Sequence, residues 1–188
     1  ERTKFLSDMQ DKVTTLSTPL VFFSLELNRI EEDALAALLD QNPALARYKP
    51  LFDRLRAFKP HQLSDELEKF LHDQSVVGAN AWIKLFDETM AGLSFDVDGQ
   101  ALQLEATLTQ LNEDHDRSKR QAAAEALVAV FKERLPLFAR ITNTLAKEKE
   151  VEDRWRNMPT PQTSRHLSNH VEPEVVEALR SSVVAAYP

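Results

Sequence analysis

Apolar residues recur along most of this chain at intervals of three or four, which is the spacing of one face of an α-helix. The chain contains only three glycines, and long stretches are rich in Ala, Leu, Glu, Lys and Arg, which favour helix over strand. The pattern therefore predicts an all-α fold, a bundle-like array of about six helices. Their apolar stripes begin at Phe5, Leu20, Leu45, Leu67, Ala124 and Val176.

Two helix starts carry capping signals. Asn42, followed by a proline, is typical of a helix N-terminus, and Pro50 is expected to kink the helix that follows. Ser64, followed by two acidic residues, predicts the start of a long helix that ends near Gly92. Gly78 lies inside that helix and indicates a bend or a close helix crossing.

The segment 20–39 fits two patterns. Val21, Phe23 and Leu25 alternate with other residues as they would in a strand, whereas the longer run up to Leu38 steps like a helix. Because the helical pattern fits over the longer span, we predict one helix here.

Residues 94–105 also fit two patterns, a calcium-binding loop and a β-hairpin. Four residues match positions of a calcium loop, but Ser94 stands at the first position, where a carboxylate is expected. As a hairpin, the segment turns at Asp98 and Gly99 and has a clean division between an apolar and a polar face. A half-buried hairpin needs that division and a calcium loop does not, so we predict one short hairpin near residues 94–104. The four calcium-loop positions are Asp96, Asp98, Gly99 and Glu105; the apolar hairpin face is Phe95, Val97, Leu102 and Leu104, and the polar face is Asp96, Ala101 and Gln103.

The second half of the chain is dominated by one long helix. It is predicted from Arg117 toward Lys149, with a bend at Pro136. Prolines cluster in 150–173, which predicts an irregular connection, and Pro173 opens a last helix. We treat residues 1–188 as one helical region, with a subdivision into 1–92 and 93–188 as an alternative.

Composition narrows the classes of function. The formal net charge is −7 and the sequence pI is about 5.3, which argues against a nucleic acid or an anionic membrane as partner. There is no cysteine, so disulfides, thiolate metal sites and a Cys nucleophile are excluded. No apolar run is long enough to span a membrane, and no secretory leader is expected.

The histidines offer one spacing of interest for metal binding. His166 and His170 are four residues apart, as two zinc ligands on one helical face would be. The glutamate of a HExxH zinc peptidase is missing between them, and the surrounding prolines make poor helix material. His115 lies among acids that a helix start explains, and His61 and His72 have no ligand spacing. We therefore predict no metal residue in this chain.

No arrangement of residues indicates catalysis. Three scattered glycines supply neither a nucleophile elbow nor a phosphate-binding loop. The acidic groups at 31–33 and at Glu148 and Glu150 are most simply solvated helix faces. No catalytic residue is predicted, and substrate-binding residues are left unknown.

Several stretches in a fixed order nevertheless resemble one family. These are ALARYKPLFDRLRAFKPHQLSDELEKFL from Ala44, SVVGANAWIKLFDETM, the hairpin FDVDGQALQL, Asp116 to Arg120, Asn143 and Lys147, Asp153 to Arg156, Ser164 to Asn169, and EPEVVEAL. Together they resemble the N-terminal region of bacterial oligoendopeptidase F, in the thimet oligopeptidase superfamily of zinc metallopeptidases. The resemblance covers about residues 5–188.

The resemblance implies a cytoplasmic, almost entirely helical peptidase that cleaves short peptides inside a channel. In that family a HExxH helix and a further Glu hold zinc, and all of them lie beyond the region matched here, so no catalytic or metal residue is carried over. The expected partners are short peptides and the catalytic part of the same parent chain, with a homodimer left open. At Asn157 we expect the family to favour Gly; Asn tolerates a left-handed backbone, so the turn should survive.

A rival hypothesis is a helical protein-interaction module without enzymatic activity, since composition and periodicity permit it equally well. The two differ in what the parent gene encodes after Pro188.

Overall fold

The computed structural model describes residues 2–188, except for the side chains of residues 2, 3 and 7. The described chain is helical apart from one two-stranded sheet, which confirms the predicted all-α fold with a short hairpin. The helices are α1 (Arg2–Ser17), α2 (Val21–Arg29), α3 (Glu32–Gln41), α4 (Pro43–Ala46), α5 (Lys49–Arg56), α6 (Asp65–Gln74), α7 (Ala79–Ala91), α8 (Leu104–Glu113), α9 (Arg117–Trp155), α10 (Thr163–Asn169) and α11 (Pro173–Ala185). The strands are β1 (Phe95–Val97) and β2 (Gln100–Leu102), and short 3-10 turns lie at Thr18–Leu20 and Lys59–His61.

The chain divides into two compact units. Unit 1 contains the described residues up to Val76 together with Lys149–Pro188, and unit 2 is Val77–Glu148. The boundary expected between residues 92 and 93 falls within unit 2 of this division.

The hairpin of unit 2 turns at Asp98 and Gly99, as predicted from the sequence. Phe95 pairs with Leu102 and Val97 pairs with Gln100 in an antiparallel ladder. Asp98 and Gly99 both have positive φ, at 53° and 80°, as a type I′ turn requires. The hairpin interpretation is therefore confirmed over the calcium loop.

The core of unit 2 forms around the apolar face of this hairpin. Phe95 is fully buried, and its ring lies 5.7 Å from that of Phe131 on α9. Thr107 on α8 is also fully buried. Helix α8 was not predicted: Leu104 was assigned to the hairpin face, although it begins a helical stripe. The buried residues of this core are Leu93, Phe95, Val97, Ala123, Ala126 and Leu127.

Unit 1 shows where the single helix predicted over 20–39 was wrong. The chain leaves the helical conformation at Ile30 and Glu31, so α2 and α3 are separate helices. The buried guanidinium of Arg56 accounts for the break, because it donates to the carbonyl oxygen of Leu27 at 2.9 Å and pairs with Glu32 at 2.7 Å. It thus satisfies the end of α2 and neutralises a first-turn acid of α3.

Two more predicted helices are interrupted. The side chain of Asn42 caps α4 as expected, but Pro50 lies in the first turn of a new helix, α5, and kinks nothing. A proline is tolerated in a first turn, where its missing N–H would have no helical partner. Ser64 caps α6 as predicted, yet α6 ends at Gln74, and Gly78 precedes α7 rather than lying inside one long helix.

The irregular connection predicted over 150–173 was also wrong. Helix α9 continues to Trp155, and Thr163–Asn169 forms α10 despite the neighbouring prolines. Ion pairs four residues apart support the extension of α9, among them Lys149 with Asp153. Asn157, two residues after the end of α9, has a φ of 51°, so the left-handed turn expected there is confirmed.

Candidate functional site

Unit 1 contains a cleft of about 550 Å³ that combines apolar and charged walls. Helices α2 and α5, the segment that follows α5, helix α6 and the end of α9 all contribute side chains. A cleft of this size with a few convergent polar groups is the usual form of a small-ligand site. Its apolar lining residues are Val21, Leu25, Leu55, Phe58 and Met158.

Arg156 is the centre of the polar side. Its guanidinium donates to both carboxylate oxygens of Glu68, at 2.7 and 3.0 Å, and to Glu152 at 2.7 Å. It also donates to the backbone oxygen of His61, whose Nδ1 lies 2.9 Å from the backbone oxygen of Arg156. Because that carbonyl can only accept, Nδ1 carries the proton and donates. Two hydrogen bonds, one in each direction, therefore join His61 to Arg156, the residue that follows α9.

The ion pair between Glu68 and Arg156 is well shielded from solvent, with side-chain exposures of 15% and 18%. Burial alone would raise the pKa of Glu68, but hydrogen bonds from Arg156 and from the amide of Leu63 outweigh it and lower that pKa. The hydrogen bond to Glu68 in turn raises the pKa of Arg156 above its usual range. Both groups are therefore charged at neutral pH.

Two further pairs line the cleft. Lys149 donates to Asp153 at 2.6 Å, one turn along α9. Asn28, which is 8% exposed, donates through Nδ2 to Oε1 of Gln62 at 2.7 Å. Arg54 also lines the cleft and makes no ion pair or hydrogen bond with any residue that the structure describes.

The histidines considered as ligands lie in different settings. His61 lines the cleft, and Nε2 of His72 lies 2.9 Å from the hydroxyl of Ser17. His115 is in the turn between α8 and α9, where its backbone oxygen accepts from Arg120. His166 is on α10, but His170 follows the helix with a left-handed backbone.

Three of the acidic candidates have structural partners. Asp96 accepts the amide of Gly99 in the hairpin turn, at 2.9 Å. Glu148 accepts the amide of Ala79 at 2.9 Å and so caps the start of α7, a role that the sequence did not indicate. Glu32 pairs with Arg56, as described above.

Within residues 2–188, as far as they are described, no group of three or more His, Asp or Glu side chains could hold a metal ion. The residues present therefore do not fit the zinc site that the resemblance places in the parent enzyme. In the same range, no helix is both long enough and apolar enough to cross a lipid bilayer.

Sequence reasoning missed the residues that build the cleft. In the sequence, Arg156 and Gln62 stand out only as parts of stretches that resemble the family. Their partners are 88 and 34 residues away along the chain, at Glu68 and Asn28, and no local pattern connects them.

Comparison with known proteins found a family model and a relative that match this chain. The family model described as Oligopeptidase F matches residues 26–95, which include the cleft residues from Asn28 to Glu68. Group B oligopeptidase PepB of Streptococcus agalactiae, serotype III strain NEM316, is 27% identical over 187 residues, which is 94% of this chain and 31% of that protein.

A solved structure has the same fold. The crystal structure of oligoendopeptidase-F from Enterococcus faecium matches with a TM-score of 0.76 and 22% identity, over 90% of this chain and 34% of that one. The chain thus spans about a third of the length of these relatives. The resemblance inferred from the sequence is confirmed: the chain is similar, over nine tenths or more of its length, to the N-terminal part of oligoendopeptidase F.

Proposed function

We propose that this chain is the N-terminal, non-catalytic part of a zinc-dependent oligopeptidase and forms one wall of its substrate channel. The proposal rests on the match between this chain and its relatives. It covers nearly all of this chain but only about a third of relatives that are named as oligopeptidases. The remaining two thirds of such a parent would hold the catalytic machinery.

The exposed apolar surface of unit 1 supports this reading. Helix α11 has 13 residues and none is buried, although Val176, Leu179 and Val183 form an apolar stripe along it. An isolated helix of that length is marginal in water, so the stripe calls for a partner surface. The catalytic part of the same parent is the partner we propose.

The stripe on α1 is exposed in the same way. Phe5 and Leu16 are 68% and 74% exposed, so this helix also presents apolar side chains that nothing in the described chain covers. A second copy of the chain is the alternative occupant, and a homodimer would then replace the contact with the catalytic part.

The metal belongs to the proposed parent and not to this stretch. When bound there, zinc would polarise the scissile carbonyl and activate water. The residues of this chain would act on the substrate only by binding and by excluding folded proteins from the channel. We place the parent in the cytoplasm, in keeping with the absence of cysteine.

The reading frame of the parent gene separates this function from a helical interaction module. The proposal expects a HExxH sequence in a helical pattern downstream of Pro188, whereas a stop codon or an unrelated domain there would favour the module.

Substrate size tests the channel. The full-length parent should cleave quenched fluorescent peptides of about a dozen residues and leave folded globular proteins intact, because a walled channel excludes them sterically. The same peptide sequence inserted in a surface loop of a folded protein is the matched control. Equal rates on the free and the inserted peptide would contradict the channel.

A further inference from the structure

We propose that the cleft of unit 1 binds the carboxylate end of a short peptide whose last residue is apolar. Arg54 and Gln62 would hold the carboxylate, and the apolar side of the cleft would hold the last side chain. The choice of a peptide as ligand rests on the proposed function. The residues that line the cleft indicate that the ligand carries a carboxylate and an apolar group.

One cationic side chain of the cleft has no acidic partner among the described residues. Arg156 is occupied by two carboxylates, those of Glu68 and Glu152, and Lys149 is occupied by Asp153. All three acids of the cleft thus have cationic partners. Arg54 also lines the cleft and has no ionic partner among the described residues. An anion that enters the cleft would therefore find its guanidinium available. Guanidinium groups bind carboxylates through two parallel hydrogen bonds.

Gln62 adds a neutral donor to the lining of the same cleft. Its Oε1 accepts from Nδ2 of buried Asn28, which fixes the orientation of the amide. The other end of the amide, Nε2, makes no hydrogen bond with a residue that the structure describes. Since an amide nitrogen can only donate, the cleft offers it to an acceptor such as a carboxylate oxygen.

The apolar side chains that line the same cleft would select the group next to that carboxylate. Phe58 and Leu55 come from α5 and the residues just after it, and Val21 and Leu25 come from α2. Burying a Leu or Val side chain among such groups removes apolar surface from water and is favourable. A free carboxylate without an apolar neighbour would lose this contribution.

Binding can be measured without catalysis, by two-dimensional NMR titration of the 188-residue chain at pH 7. The probe is N-acetyl-leucine, and the controls are N-acetyl-leucinamide, which lacks the carboxylate, and acetate, which lacks the apolar group. We expect saturable shifts of cleft residues with N-acetyl-leucine at about millimolar affinity, as suits a ligand of this size. Each control should bind at least about tenfold more weakly.

Variants then locate the contacts. Arg54→Gln should weaken N-acetyl-leucine about tenfold and leave the amide unchanged, whereas Arg47→Gln, outside the cleft, should change neither. Gln62→Glu keeps the acceptor for Asn28 but places a carboxylate beside the ligand, so it should also weaken the acid selectively. Arg54 is exposed, so its variant should fold normally.

The absence of saturable binding by N-acetyl-leucine, equal binding of acid and amide, or an acid affinity unaffected by Arg54→Gln would overturn the proposal. Octanoate is the last ligand to be titrated. Binding as tight as that of N-acetyl-leucine would assign the cleft to fatty acids and contradict a peptide ligand. None of these results bears on whether the full-length parent cleaves peptides, so the two proposals fail separately.

Discussion

At the scale of single residues, a small number of buried and half-buried polar side chains connect the elements of unit 1. Arg156 and Glu68 join the end of α9 to α6, and Arg56 joins α2 to α3. Each of these contacts connects residues that are at least 24 positions apart in the chain. Their removal leaves a partly buried charge without a partner, which costs more free energy than an exposed ion pair contributes.

Replacing Arg156 by Met keeps most of the side-chain volume and removes the hydrogen bonds to Glu68 and Glu152. We expect the free energy of unfolding to fall by about 2–3 kcal/mol, since a shielded carboxylate loses its charged donor. Chemical denaturation measures this. Lys49→Met is the matched control, because its pair with Asp53 is more than half exposed, and it should cost no more than about 0.5 kcal/mol. Equal effects of the two variants would contradict the role of Arg156.

The same pair predicts a dependence of stability on pH. The pKa of Glu68 is lowered in the folded state, so its contribution is fully present above the unfolded value, near 4.5, and is lost as the pH falls through the lower folded value. The wild-type advantage over Glu68→Gln, measured by denaturation, should therefore be constant from pH 7 to about 5 and shrink below about 4.5. An advantage that grows on acidification would have the wrong sign.

At the scale of elements, the sequence predicted what local chemistry decides and missed what distant contacts decide. The hairpin register, the Asn42 and Ser64 caps and the turn at Asn157 were all predicted, because a few neighbouring residues determine each of them. The break between α2 and α3 was missed because Arg56, far along the chain, provides its partner. The cleft was missed for the same reason.

The hairpin turn gives a prediction for one element. Gly99 has a φ of 80° and no atom within 4 Å of where a Cβ would lie, so a substitution there meets backbone strain and not a clash. Gly99→Val should cost about 1 kcal/mol or more in free energy of unfolding. Gly92→Ala is the control, because Gly92 has an ordinary φ of −86°. If the valine variant were as stable as wild type, the type I′ turn would be in doubt.

At the scale of the whole molecule, many large apolar side chains of the described residues are exposed to solvent. Helices α1 and α11 expose apolar stripes, whereas Phe95 and Val97 on the apolar face of the hairpin in unit 2 are buried. Such surfaces need a covering partner, and a formal net charge of −7 alone does not prevent their association. The stripes therefore agree with a chain that works as part of a larger enzyme.

We propose that this chain contributes a wall of the substrate channel and no chemistry, and an assay of peptide cleavage tests this role. A quenched fluorescent peptide is incubated with the 188-residue chain and, separately, with the full-length parent, each with and without a metal chelator. We predict cleavage by the parent that stops with the chelator, and no cleavage by the chain alone. Cleavage by the 188-residue chain that persists in the presence of the chelator would contradict the account.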